Sequence, residues 1–174
     1  AQSITKEAVS AVKIPDDAHI AVSIHSYAPW DFCGTDDTRS DWGSDADKQE
    51  LDTNFQYLED TFISKGVPVL LDEFGAVNKN NTSIRAQYYA YYVKSAKAHG
   101  ITCFVWDNGT ESEFGLLNRK DLTWYAPSII DAMMQALQDT PKATYQFVII
   151  SEGEETKVAK NNMSTTMMCY KEFG

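Results

Sequence analysis

The segment Gly66-Val67-Pro68-Val69-Leu70-Leu71-Asp72-Glu73-Phe74-Gly75 constrains the fold of this chain more than any other. A Gly-Val-Pro turn opens an apolar run that stops abruptly at two carboxylates. Such a run belongs in a parallel strand buried on both faces. An acid at the C-terminal end of a parallel strand stands where α/β barrels assemble their chemistry. Glu73 is therefore the candidate catalytic carboxylate. Its neighbour Asp72 is expected on the opposite side of the strand, because side chains alternate.

Two similar units flank it. His19 to His25 is a β-branched apolar run and reads as a strand, followed by a Gly- and Asp-rich loop over 28–43. Ser44-Asp45-Ala46-Asp47 has the spacing of a capping box, and Leu51, Phe55, Leu58 and Phe62 recur at helical spacing until Gly66. The strand from Val67 to Glu73 follows, then a polar loop over 78–83 with Thr82 or Ser83 as N-cap. The next helix runs to about His99, where Gly100 takes the C′ position. Ile101 to Trp106 reads as a third strand, and a last helix from Pro127 carries Ile130, Met133, Met134 and Leu137.

Strands alternating with helices imply βαβ crossovers and a parallel sheet. The expected class is α/β, a partial TIM-type β/α barrel of three to four βα units. After Pro141 the pattern changes. Tyr145 to Ile150 reads as one more strand, and the polar remainder ends in a Met-rich stretch. The expected organisation is a barrel-like domain over 1–140 and an appendage over 141–174.

At 174 residues and 43% hydrophobic, the chain can bury one core. Fifteen basic against twenty-five acidic residues give a net charge of −10, which argues against nucleic-acid and anionic-membrane partners. No apolar run approaches the ~20 residues of a membrane span. Cys33, Cys103 and Cys169 have no metal-ligand spacing and are expected unpaired; no metal or cofactor is expected. The chain opens at Ala with no signal-peptide pattern, as a mature product or an excised piece does.

The three strand ends share a theme: His25-Ser26-Tyr27, then Asp72-Glu73-Phe74-Gly75, then Trp106-Asp107-Asn108-Gly109. In a barrel they converge on one face. A carboxylate, an imidazole, a phenol and an indole together make a sugar-handling set: the acid serves an oxocarbenium-like centre and Trp offers a flat floor to a pyranose. Singly, each has a plainer reading. Glu73 can cap a turn or pair with Arg85, His25 can be structural, and Trp106 can belong to the core. Together they require one structural explanation to hold three times on one face. Trp30, Phe32 and Trp42 in the first long loop either stack on sugar or close the loop on itself. Asp31, Asp36, Asp37 and Asp41 match no calcium-loop spacing and are expected to be solvated.

His25-Ser-Tyr27 with Pro29 behind it, Leu71-Asp-Glu73-Phe-Gly75-Ala, Arg85, Trp106-Asp-Asn-Gly109 and Asn118-Arg119 resemble the C-terminal part of glycoside hydrolase family 5, over residues 14 to 138. The resemblance is to bacterial endo-β-1,4-glucanases and xyloglucanases of anaerobic and rumen organisms. It implies an eight-stranded β/α barrel of which these are the sixth, seventh and eighth units, and a retaining mechanism on β-1,4-glucan. It also implies Glu73 as nucleophile, His25 and Tyr27 as its companions, and Trp106 as sugar platform, often next to a cis peptide bond. Trp30, Trp42 and Asn108 are the further substrate-binding candidates, and the expected location is secreted. Two departures stand out. The residue before the nucleophile is usually Gly and is Asp72 here. The family's acid/base Glu lies in an Asn-Glu-Pro motif after the fourth strand, and this chain has none.

Three strands leave two open edges and a bare inner face. A fourth strand at 145–150 offers a homodimer of two four-stranded halves; a complementary N-terminal chain and a rearranged smaller sheet are the other routes. The candidate second acids in this chain are Asp31, Asp107, Glu111 and Glu113. The alternative function is a catalytically silent glucan-binding remnant or a fragment of a larger enzyme.

Overall fold

The computed structural model describes residues 4–35 and 39–139, together with the backbone of Val148–Ser151 and Glu154–Lys157. In chain order the elements are α1 (Lys6–Ala11), β1 (Val22–His25), α2 (Trp30–Cys33), α3 (Asp45–Thr61), β2 (Val69–Phe74), α4 (Thr82–Ala98), β3 (Thr102–Val105), β4 (Leu117–Asn118), β5 (Thr123–Trp124), α5 (Pro127–Asp139), β6 (Val148–Ser151) and β7 (Glu154–Lys157). The first three long strands form one parallel sheet in the order β1-β2-β3, each followed by a helix. This open sheet is part of a β/α barrel.

The expected first strand loses its opening residues. His19 is drawn into a turn instead, where its backbone N–H donates to Asp17 Oδ1 at 2.8 Å. Asn81, one residue earlier than expected, precedes the first turn of α4. In α5 the buried positions are Ile129 and Met133, whereas Met134 is exposed. The strand expected at 145–150 is shifted and does not join the sheet. Residues 145–147 lie outside the described residues, and β6 pairs antiparallel with β7. The sheet therefore has three strands, not four, among the described residues.

The helix start at Ser44 shows how local sequence fixes local structure. Ser44 Oγ accepts from Asp47 N at 3.2 Å, and Asp47 Oδ2 accepts from Ser44 N at 3.0 Å. Two donors that an α-helix leaves unsatisfied are thus closed reciprocally. Asp47 also pairs with Arg39 at 2.5 Å. At the other end Gly66 takes φ +82°, a left-handed conformation that a side chain disfavours.

Burial alternates along the strands. Val22, Ile24, Val69 and Leu71 are buried, packed with Leu51, Phe55 and Leu58 of α3 and Tyr88, Tyr89 and Tyr92 of α4 in one core. The residues between them face the other way, and Ser23 and Phe104 are exposed. One face of the sheet is thus covered by helices and the other is open. Lys97 Nζ donates to Leu137 O, fastening the last turn of α4 to α5.

Two outcomes follow for the Ser44–Asp47 cap. Ser44→Ala loses ~0.5–2 kcal/mol in urea unfolding, as a lost N-cap does. Burial works against ionisation of Asp47, but hydrogen bonds from Arg39, Ser44 and the Gly43 and Ser44 amides outweigh it and hold the carboxyl below its usual value. A folded-state pKa below the unfolded one stabilises above the unfolded value of ~3.9 and is lost as pH falls through the folded one. Wild type should therefore lose Tm below about pH 4 more steeply than Asp47→Asn, measured by circular dichroism.

Candidate active site

The register between strands is not uniform, and the irregularity builds the site. Val22, Ser23 and Ile24 oppose Val69, Leu70 and Leu71, but the next residue of β1, His25, opposes Glu73. On the other side Leu71 opposes Cys103, whereas Phe74 opposes Val105. β2 thus carries one extra residue at its end relative to both neighbours. Such bulges re-aim side chains next to sites. Ser26 N then donates to Glu73 O at 2.9 Å and Trp106 N to Phe74 O at 2.8 Å, so the three strand ends stay joined.

Glu73 receives two contacts on one oxygen. Tyr27 Oη donates to Glu73 Oε2 at 2.9 Å, and His25 Nδ1 lies 3.2 Å from the same atom. Burial first, and then the Glu73 carboxylate, push the Tyr27 phenol well above its usual value. Tyr27 is therefore a neutral donor across the physiological range.

The expectation that Asp72 points away from Glu73 is overturned by the bulge. Asp72 Oδ1 lies 3.3 Å from His25 Nε2, as an electrostatic contact without hydrogen-bond alignment, and Asp72 Oδ2 accepts from Ser23 Oγ at 2.6 Å. One imidazole therefore touches two carboxylates, one on each ring nitrogen. Alternation alone does not reveal this, because it assumes an unbroken strand.

The aromatic candidates separate into two groups. Trp106 and Trp30 are 41% and 49% exposed, and Trp30 meets the edge of the Tyr27 ring at 6.3 Å. Phe114 meets Tyr27 at 5.7 Å from another loop, a contact between residues almost ninety positions apart that no local pattern marks. Trp42 is corrected as a substrate-binding candidate. It is 6% exposed and packs on Tyr88 and Tyr91, so it closes the loop on the core. Phe32 is buried as well. The cis peptide bond among the described residues is Ala28–Pro29, not one beside Trp106.

The other candidate acids are engaged locally. Asp107 accepts from the backbone N–H of Gly109, Leu116 and Leu117 at 2.6, 3.2 and 2.9 Å. Burial opposes its ionisation, yet those three amides and Arg119 hold it below the usual carboxylate range. Asp107 thus organises its own loop. Asn108 Nδ2 donates to Glu113 Oε2 at 2.5 Å, which commits both side chains to the same loop. Asp31 and Asp41 pair with Arg39. Arg85 does not pair with Glu73; it is 1% exposed, with its Nε donating to Ala76 O at 3.1 Å. Cys33 and Cys103 are free thiols, and Cys169 lies outside the described residues.

A groove of about 790 Å³ lies elsewhere, between α1, α3 and α4, bordered by Lys6, Asp52, Tyr57, Tyr91 and His99. It contains none of the strand-end residues. The candidate site residues lie at the open strand ends, not in this groove.

Comparison with known proteins matches that arrangement. The profile of the family Cellulase (glycosyl hydrolase family 5) fits residues 2–112. Endoglucanase A of Clostridium longisporum is 44% identical over 140 residues, which is 76% of this chain and 27% of the relative. Among solved structures, a broad-specificity GH5-4 endoglucanase from Clostridium longisporum superposes with a TM-score of 0.74 at 39% identity, covering 81% of this chain and 42% of that one. A GH5-4 endoglucanase from Ruminococcus champanellensis with bound cellotriose gives 0.66 at 37% identity, over 75% of this chain and 39% of that one. This chain spans well under half the length of each. With the family profile over residues 2–112 and a relative 44% identical over 76% of this chain, the chain belongs to glycosyl hydrolase family 5.

Proposed function

We propose that this chain carries the nucleophile side of a retaining, secreted β-1,4-glucan hydrolase, and that the general acid comes from a complementary part of the barrel. The observation that carries the reading is Glu73 with both of its close contacts on Oε2, from Tyr27 at 2.9 Å and His25 at 3.2 Å. Those contacts orient the carboxylate and leave Oε1 outside both. Oε1 attacks the anomeric carbon of a glucosyl unit, the glycosidic C–O bond breaks, and the departing oxygen takes its proton from the second carboxyl group. Water then cleaves the glycosyl–Glu73 ester, losing a proton to that same group. Trp106 and Trp30, exposed at the same strand ends, offer flat apolar surfaces for the sugar rings.

Retention needs the two carboxyl groups ~5–5.5 Å apart. Asp31, Asp107 and Glu113 are each held by a partner within their own loop, and Glu111 is exposed on the loop of Glu113, with its backbone carbonyl accepting from Asn78. Asp72 is tied to Ser23 and His25 beside Glu73. This supports a second acid from outside the described residues. Strand count supports a complementary barrel half as its source. A closed barrel has eight strands, and this sheet has three among the described residues. Two such sheets make six, whereas a half of about five βα units completes the circle. Cellotriose bound by the Ruminococcus champanellensis relative supports β-linked glucose oligomers and polymers as the substrate class.

The missing acid also favours a second reading, in which the chain alone binds glucan without turnover. One experiment separates the two. The chain is mixed with the first five βα units of the Clostridium longisporum endoglucanase, and reducing-sugar release from carboxymethylcellulose is measured. Release in the mixture that disappears with Glu73→Gln supports the hydrolase. Background release in every mixture, with cellotetraose binding to the chain retained, supports the silent reading. The chain without its partner should run at least ~10²–10⁴-fold slower than the mixture, as loss of a general acid dictates.

A further inference from the structure

α4 buries an unusual set of side chains. Arg85, Tyr88, Tyr89 and Tyr92 recur at spacings of three, four and seven, so they share one face of the helix. All four are buried to within 2% of complete. Each reaches beyond the helix to backbone or side chains at the strand ends. Tyr92 Oη donates to Ser26 O at 3.3 Å, and Tyr88 Oη to Ala28 O at 3.3 Å. Tyr89 Oη accepts from Ala76 N at 3.1 Å, while Arg85 Nε donates to Ala76 O at 3.1 Å.

The acceptors and donors they reach are specific. Ser26 lies between His25 and Tyr27, and Ala28 follows Tyr27. Ala76 follows Glu73 by three residues. The ring contacts point the same way: Tyr92 stacks on Phe74 at 4.1 Å with planes 6° apart, and Tyr89 meets Phe74 at 5.6 Å. Gly75 is part of the same fit, since a Cβ there would come within 3.2 Å of Tyr89 Oη. The guanidinium of Arg85 has no carboxylate at ion-pair distance among the described residues, and its Nη2 has no hydrogen-bond partner there. A buried, unpaired cation is costly. It is held by Ala76 O and by the Tyr89 side chain, whose ring centroid lies 5.9 Å away.

We infer that Arg85, Tyr88, Tyr89 and Tyr92 are positioning residues: one helix face clamps the backbone on both sides of the Tyr27–Glu73 contact and sets the aim of the nucleophile. The inference rests on the proposed role of Glu73. The physical requirement is that Glu73 and Tyr27 sit on different strands, at the place where the register of β2 slips. Ladder hydrogen bonds there are fewer, so the relative position of the two ends needs fixing from below. α4 supplies that from a single rigid element. A hydroxyl on a stacked ring is suited to it, because the ring is locked by packing and the O–H holds the carbonyl.

Tyr89→Phe and Tyr92→Phe remove the hydroxyls and keep the rings. Tyr91→Phe is the control: it lies on the same helix, and its hydroxyl donates to Asp52 at 2.7 Å, away from the strand ends. The readout, at neutral pH, is the set of ring chemical shifts of labelled tyrosine, with Tyr27 assigned by Tyr27→Phe, and their response when Glu73→Gln removes the carboxylate that Tyr27 Oη donates to. In wild type and Tyr91→Phe the Tyr27 resonances should respond to Glu73→Gln; in Tyr89→Phe and Tyr92→Phe that response should shrink as Glu73 moves away. Completed with the complementary barrel half, the two clamp variants should lose kcat by up to about 10²-fold with KM little changed. An equal Tyr27 response in all three variants overturns the clamp. A reduced response together with an inactive completed wild type keeps the clamp and rejects the hydrolase reading.

Discussion

The arrangement at the strand ends depends on one extra residue in β2. With an unbroken register, His25 would oppose Asp72 and Glu73 would sit one step further on. Because β2 carries the additional residue, His25 opposes Glu73 instead, and Ser26 N closes on Glu73 O at 2.9 Å. That hydrogen bond joins the residue between His25 and Tyr27 to the candidate nucleophile itself. The slip also turns Asp72 toward the other nitrogen of the same imidazole. In the resembling enzymes this position is usually Gly, which has no side chain to place there. The Asp72 carboxylate therefore adds a polar contact to His25 that a glycine cannot make, and Ser23 Oγ holds it in place at 2.6 Å.

The same sheet is incomplete in a way that physics makes visible. Its helical face is packed with Leu, Phe and Tyr side chains, each fully buried one contributing ~1.5–3 kcal/mol, so three βα units suffice for a core on that side. The opposite face carries Ser23, His25, Asp72 and Phe104, the residues a barrel would turn inward. β1 and β3 present unpaired edges among the described residues, and exposed edges template further pairing. β6 does not relieve either edge, because its partner is β7. The helical face thus carries the core, and the open face carries the candidate site residues.

How much of this could be read from the sequence follows from the range of each interaction. The Ser44–Asp47 capping box and the Gly66 stop are contacts within a few residues, and both were legible. So were the three βα units, because hydrophobic period and turn glycines are local signals. Trp42 was not legible as core. Nothing in its own neighbourhood says that Tyr88 and Tyr91, more than forty positions later, will meet its ring. The bulge was missed for a related reason, since register is a property of two strands and the alternation rule describes one. Arg85 reads in the sequence as a partner for an acid; its actual acceptor is a carbonyl, and carbonyls leave no mark in a sequence.

The tyrosines of α4 show why a helix of low amphipathic character can still be the central one. Tyr is neither strongly apolar nor strongly polar, so a face built from it gives a faint periodic signal, yet each ring buries a large apolar area and carries a hydroxyl at its far end. A face of leucines would fill the same space and leave Ser26 O and Ala28 O, both on buried residues, without these donors. An unsatisfied buried carbonyl costs ~1–3 kcal/mol, and relieving it would mean moving the strand ends toward water. Those ends hold Tyr27 and Glu73. The polar tips of a nominally hydrophobic face therefore couple the packing of the core to the geometry of the carboxylate, which is why the helix behind the sheet bears on chemistry in front of it.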